Sequence, residues 1–218
     1  MRLHRGGRWR TWLGARLGGD VALGDRAWRR CLHAGAGLVL LYYLAPPRLL
    51  VVLTNAEALV LGLLVVLAVE AGRWVAGVEL PTLRPHEEHR PASFAYFAVG
   101  LVLAILVFPE PVALAVGLGA ALVDPLIGEL RLTLARRRWY PAVPFAAYAV
   151  LAAAAFRGVG GWSPTASVLL ALVAAAVGVS VERPRVPYLD DDLTMVVVPG
   201  AVLTLLLVAV PGLTSLGV

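Results

Sequence analysis

Long apolar runs alternate with short charged segments along the whole of this 218-residue chain. In order, the runs cover His33–Leu44, Arg48–Val69, Phe94–Phe108, Val112–Leu130, Pro141–Phe156, Pro164–Val181 and Leu193–Val210. Pro46-Pro47 closes the first, Pro109-Glu110-Pro111 separates the third from the fourth, and Gly158 to Trp162 makes a turn after the fifth. The second run is interrupted by Asn55 and Glu57 and stops at Glu70-Ala-Gly-Arg73. The pattern predicts an all-α, polytopic integral membrane protein of seven transmembrane helices. Several runs fall short of the roughly 20 residues that span a bilayer, so tilt or local thinning must make up the length.

Composition supports the same class. Hydrophobic residues make up 60% of the chain and charged residues only 15%, against about 45–50% and about 25% in soluble domains. Residues 31–218 read as one transmembrane domain. Residues 1–30 are rich in Arg and carry Trp9, Trp12, Leu13 and Leu17 at roughly helical spacing. They fit a basic segment on an anionic membrane surface or a basic tail; no continuous apolar stretch marks them as a cleavable signal.

Charge fixes the expected orientation. The net charge is +5, and every basic side chain apart from His is Arg, since the chain has no Lys. With the N-terminus in the cytoplasm, all the arginines except Arg48 and Arg157 fall on the inner side, as the positive-inside rule requires. The C-terminus is then outside. Such spacing is a topology signal and not a nucleic-acid patch, so no nucleic-acid partner is expected. The absence of Lys excludes a Walker A loop. Cys31, alone, excludes an internal disulfide and a paired-cysteine metal site, and Asn55, the single asparagine, begins no glycosylation sequon.

The same topology gathers most carboxylates at the cytoplasmic face. Glu182 ends one apolar run and Asp190, Asp191 and Asp192 open the next. Adjacent carboxylates repel, so a divalent cation with hard oxygen ligands, Mg²⁺ above all, is an obvious counterion. The plain alternative is a solvated acidic loop with Asp192 as the N-cap of the helix from Leu193. Asp124 lies inside an apolar run, where an ionisable group usually faces a polar cavity, and Pro125 loosens the backbone there; the alternative is a kink near the interface. His33, after Arg29-Arg30, could contact phosphate or act as a base, or merely be an interfacial side chain. Arg136, Arg137 and Arg138 suit a phosphate clamp or a stop-transfer cluster. His86, Glu87, Glu88 and His89 match no zinc spacing.

Taken together, the chain resembles the CTP-dependent polyprenol kinases, the family of dolichol and phytol kinases within the wider phosphatidate cytidylyltransferase group. The resemblance runs over about residues 27–205. It rests on Arg29-Arg30-Cys-Leu-His33-Ala-Gly-Ala-Gly37, on Glu70 and Arg73, on Leu83-Arg-Pro-His-Glu-Glu88 running into Tyr96–Gly100, on Val123-Asp124-Pro-Leu-Ile, and on Glu182 with Asp190-Asp191-Asp192-Leu193-Thr194. The chain departs from the family at Val123, where a Gly is usual, and at Asp192, where Asn is usual. Arg136-Arg-Arg-Trp-Tyr140 stands in place of a Lys-Ser/Thr-x-x-Gly element, and its arginines are expected to take that element's part.

The resemblance implies transfer of a phosphoryl group from CTP to the terminal hydroxyl of a long isoprenoid alcohol. It implies Mg²⁺ on Asp124, Glu182, Asp190, Asp191 and Asp192, with Asp124, Asp190, Asp191 or His33 in the proton transfer. Arg30, Arg73, Glu88, Arg136, Arg137 and Thr194 form the nucleotide side. The expected partners are CTP, the lipid alcohol and the membrane, with a homodimer left open, in a prokaryotic cell membrane with the active site facing the cytoplasm. Two other readings stand beside this one: a CDP-lipid synthase, which would release pyrophosphate, and a non-enzymatic transporter, which would need a polar pathway to the far face.

Overall fold

The computed structural model describes residues 30–46, 48–49, 53–76, 87, 90–131, 138–182 and 190–216. Residues 1–29, 77–86, 88–89, 132–137 and 183–189 lie outside them, and with them Glu88, Arg136 and Arg137. Among the described residues the chain forms seven helices: α1 (Arg30–Leu44), α2 (Asn55–Ala76), α3 (Ser93–Val107), α4 (Glu110–Arg131), α5 (Ala142–Gly158), α6 (Pro164–Val181) and α7 (Asp191–Ala209). Four of them, α2, α4, α6 and α7, are long and apolar enough to cross a membrane; α1, α3 and α5 are shorter apolar helices.

The helices start and stop where local chemistry dictates. Ser163 caps α6, its hydroxyl accepting from Ala166 N, and Pro164 takes the first helical position, where its missing N–H costs nothing. The second helix differs from the expected Arg48–Val69. Arg48–Leu49 pairs antiparallel with Leu53–Thr54 in a short hairpin, and the helix begins only at Asn55. The reason is a reciprocal cap: Thr54 Oγ1 accepts from Glu57 N at 3.2 Å, while Glu57 Oε2 accepts from Thr54 N at 2.8 Å. This is the capping-box arrangement. Glu57 therefore starts the helix instead of interrupting it. At the other end α2 continues past Val69 to Ala76, because Glu70 and Arg73 neutralise one another on one helical face.

The fourth helix is the centre of the bundle. Val112, Ala113, Ala115, Val116, Ala120, Val123 and Ile127 are buried along it, against Phe97 and Leu101 of α3, Tyr148 and Phe156 of α5 and Met195 and Val196 of α7. In contrast α2 leaves Leu61, Leu64, Val65 and Val69 exposed, as a helix facing lipid does. Between α5 and α6 the buried residues are chiefly Ala152, Ala155, Ala171, Ala174, Ala175 and Gly178. Small side chains let two helices approach closely where lipid supplies no hydrophobic drive between them.

Tyr148 is the exception in that seam. Its ring is fully buried in a cradle formed by Gly119 of α4 and Gly178 of α6. A Cβ on Gly178 would lie 2.6 Å from Tyr148 Cε2, so Gly178→Ala should lower stability by about 1–3 kcal/mol through overpacking. The Tyr148 hydroxyl is buried with no hydrogen-bond partner, so Tyr148→Phe should be neutral or stabilising. Thermal unfolding of the two purified variants checks both; an unchanged midpoint for Gly178→Ala would contradict the packing.

Because successive helices run in alternate directions, the first turn of α1, the last turns of α2, α4 and α6, and the first turns of α3 and α7 meet at one end. That end carries the site.

Candidate functional site

Asp124 reaches this end by a local irregularity in α4. Residues Gly119–Val123 form a π turn, and α-helix resumes at Asp124. In a π turn the hydrogen bonds run from residue i to residue i+5, and such turns cluster at functional sites. The N–H that would reach the Ala120 carbonyl in that register belongs to Pro125, which has none. His33 Nε2 lies 3.2 Å from the Ala120 carbonyl oxygen, so a proton on Nε2 makes the bond. The imidazole is also stacked on Phe97, with ring centroids 3.9 Å apart and an interplanar angle of 12°. Stacked and tethered in this way, it has one orientation.

Around His33 the carboxylates converge. His33 Nε2 is 4.0 Å from Asp124 Oδ2 and 3.9 Å from Asp192 Oδ1. Three overlapping groups each place their ligand atoms within 4.8 Å of one another: His33 with Asp124 and Asp192, Asp124 with Glu182 and Asp191, and Asp190 with Asp191 and Asp192. Asp124 belongs to two of them. The structure thus brings together all five carboxylates expected to share a metal, together with His33. The carboxylate donors are hard oxygens from three helices, of the kind an octahedral ion of the Mg²⁺ class takes. The donor set fits such an ion.

The helix N-terminus of α7 holds part of this set. Its cap is Asp190 and not Asp192: the Asp190 carboxylate accepts from Asp192 N at 3.2 Å. The cap sits two residues early because Asp191 and Asp192 already have helical geometry and occupy the first turn, where negative charge complements the helix dipole. Asp190 and Asp192 are buried, while Asp191 is partly exposed, and among the described residues no arginine is paired with Asp191.

Arginines frame the cluster. Arg131 pairs with Glu182 and also donates to the Tyr140 hydroxyl at 2.7 Å, which ties the ends of α4 and α6 together beside the site. Arg30 pairs with Glu129. Arg73 is buried and bidentate on Glu70, at 2.9 and 2.6 Å, and donates to the Arg90 carbonyl at 3.0 Å. Thr194 directs its hydroxyl to the carbonyls of Asp190 and Asp191 in its own helix. Arg138 is on the surface, its guanidinium 5.2 Å from the Trp139 ring centroid.

Some partners escaped the sequence reading. Arg90 donates to Asp190 Oδ2 at 3.1 Å, and buried Glu87 accepts from Ser93 N and its hydroxyl at the start of α3. The only signal for Arg90 was its place just before Pro91, at the mouth of an apolar run. Phe97 carried none beyond its apolar helical position.

An apolar groove of about 410 Å³ lies between α1 and α4. Ala34, Leu38, Leu41, Leu118 and Leu122 line it, and Tyr43 and Glu110 stand at its far end. Comparison with family models, with curated proteins and with solved structures finds no match to this chain.

Proposed function

We propose that this protein is a CTP-dependent kinase of a long isoprenoid alcohol, working at the cytoplasmic face of a prokaryotic cell membrane that its seven helices span with the N-terminus inside. One observation supports the reading: five carboxylates and His33, from four separate helices, form overlapping groups at one end of the bundle, and the lining of an apolar groove along α1 begins at Ala34, the residue after His33. A phosphate donor and a lipid head group would come together there.

Asp124, Glu182, Asp190, Asp191 and Asp192 would hold Mg²⁺, which when bound offsets the charge on the transferring phosphoryl group. The groove takes the acceptor chain. From Ala34 to Leu44 it follows α1 for about 18 Å, counting helical rise, and an acceptor chain lying in it with its head toward Ala34 would bring the hydroxyl toward His33. The hydroxyl oxygen bonds to the γ-phosphorus as the bond to the bridging oxygen breaks, and CDP leaves with that oxygen. A carboxylate of the cluster takes the hydroxyl proton. Asp191, partly exposed and paired with no described arginine, is the best placed to do so. His33, with Nε2 directed at the Ala120 carbonyl, acts as a donor and a fixed wall of the site instead of as the base.

The deciding experiment supplies purified protein with CTP, Mg²⁺ and either a polyprenol or phosphatidic acid, and identifies the nucleotide product. CDP formed only with the alcohol is the expected result. Pyrophosphate formed with phosphatidic acid would move the protein to the CDP-lipid synthases, and neither product would overturn the reading.

A further inference from the structure

Arg90 differs from Arg131, which also pairs with the cluster and is about as exposed, in the third of three properties. It touches the carboxylate cluster through Asp190 Oδ2. Its side chain remains about one-third exposed, at 35%. Its Nε is buried with no hydrogen-bond partner. An unsatisfied buried N–H is costly. The group stays there because its backbone is clamped. Arg73 Nη2 holds the Arg90 carbonyl, Glu70 Oε1 holds Ala92 N at 2.9 Å, and the Glu70–Arg73 pair beneath them is buried. The side chain that follows is thereby aimed at the first turn of α7.

We propose that Arg90 is the phosphate-recognising residue of this site, its guanidinium turning on the clamped backbone so that the Nε–Nη edge, buried while it packs beside Asp190, forks onto non-bridging oxygens of a phosphate that arrives at the Asp190–Asp192 cluster with its cation. This rests on the reading of the cluster as a place where phosphate is handled. The planar guanidinium suits two oxygens of one phosphate. In the arrangement described, Asp190 occupies one Nη and marks where a second acceptor would dock. Glu70 and Arg73 act as positioning residues, holding the segment that delivers the fork. The phosphate could belong to a nucleotide or to a lipid head group, and the chemistry recognised is the same.

The test measures binding, not turnover. Full-length protein in detergent, with Ca²⁺ replacing Mg²⁺ to suppress reaction, is titrated with CTP and separately with phosphatidic acid in mixed micelles. Arg90→Lys keeps a positive charge against Asp190 but loses the fork, and Arg90→Gln loses both. Whichever of them elutes and melts like the wild type decides the matter. The expected result is that affinity for one of the two phosphates falls about tenfold, while Mn²⁺ binding followed by electron paramagnetic resonance does not weaken. Loss with CTP alone assigns the fork to the nucleotide, and loss with phosphatidic acid alone assigns it to the lipid phosphate. Equal affinity in variant and wild type, or no binding of either phosphate by the wild type, overturns the proposal. Weakened phosphate binding in a protein that makes no CDP would leave Arg90 in this role and remove the kinase reading instead.

Discussion

Asp124→Asn and Asp191→Asn should each reduce turnover by about a thousandfold or more and leave the fold and membrane insertion intact. Both carboxylates belong to the overlapping groups that share ligand atoms within 4.8 Å. Asp124 links the His33 side of the site to Glu182 and α7, and an amide at that position is a weaker ligand for a hard cation. Stability should not suffer, because neither side chain is fully buried and a lost carboxylate relieves repulsion within the cluster. Product formation from CTP and polyprenol, alongside elution profile and melting, tests this. Full activity in either variant would remove the metal assignment.

Glu70→Gln should have the largest effect on stability, a loss of about 3 kcal/mol from an uncompensated buried charge. Arg73 is as buried as Glu70, each with 7% of its surface exposed. The carboxylate accepts from the Arg73 guanidinium and also from Ala92 N. Removing its charge strands the arginine and weakens the anchor of the segment leading into α3. A double variant, Glu70→Gln with Arg73→Met, should recover much of the loss, since two neutral side chains of similar volume avoid the penalty of one unpaired charge. Melting midpoints of the single and double variants give the comparison. A single variant as stable as the wild type would show that the pair contributes nothing to the fold.

Much of this architecture can be read from the sequence because apolar runs in this chain are long and their ends are chemically marked. The sixth run matches α6 residue for residue, with Ser163 and Pro164 signalling its start. The second does not, although Thr54-Asn-Ala-Glu57 spells a capping box. Its acidic residue looks like a break in an apolar run until its partner three residues earlier is considered. The carboxylates were legible for a related reason: charge in a hydrophobic chain is sparse, so Asp124, Glu182 and Asp190–Asp192 stand out. What holds them was not. The Ala120 carbonyl and Phe97 ring that fix His33 lie far along the chain and carry no polar side chain. Arg90 is one arginine among many on its side of the chain, distinguished only by the tertiary clamp under its backbone. Pro125 announced a disturbance in α4, but the residues that meet the π turn, Tyr148 at Gly119 and His33 at the Ala120 carbonyl, lie far away in sequence.

The distribution of the site over the helices bears on biosynthesis. His33 enters with α1, Asp124 with α4 and Glu182 with α6, while three of the carboxylates arrive only with α7, the last of the seven helices. Such contacts between distant parts of a chain form late. A ribosome-bound chain that has made only the first six helices would therefore lack three of its five clustered carboxylates and the Asp190 partner of Arg90. It would have no competent place for a metal nucleotide. On the proposed kinase reading, unfinished or truncated chains would be inert, and chemistry would begin only when the last helix docks.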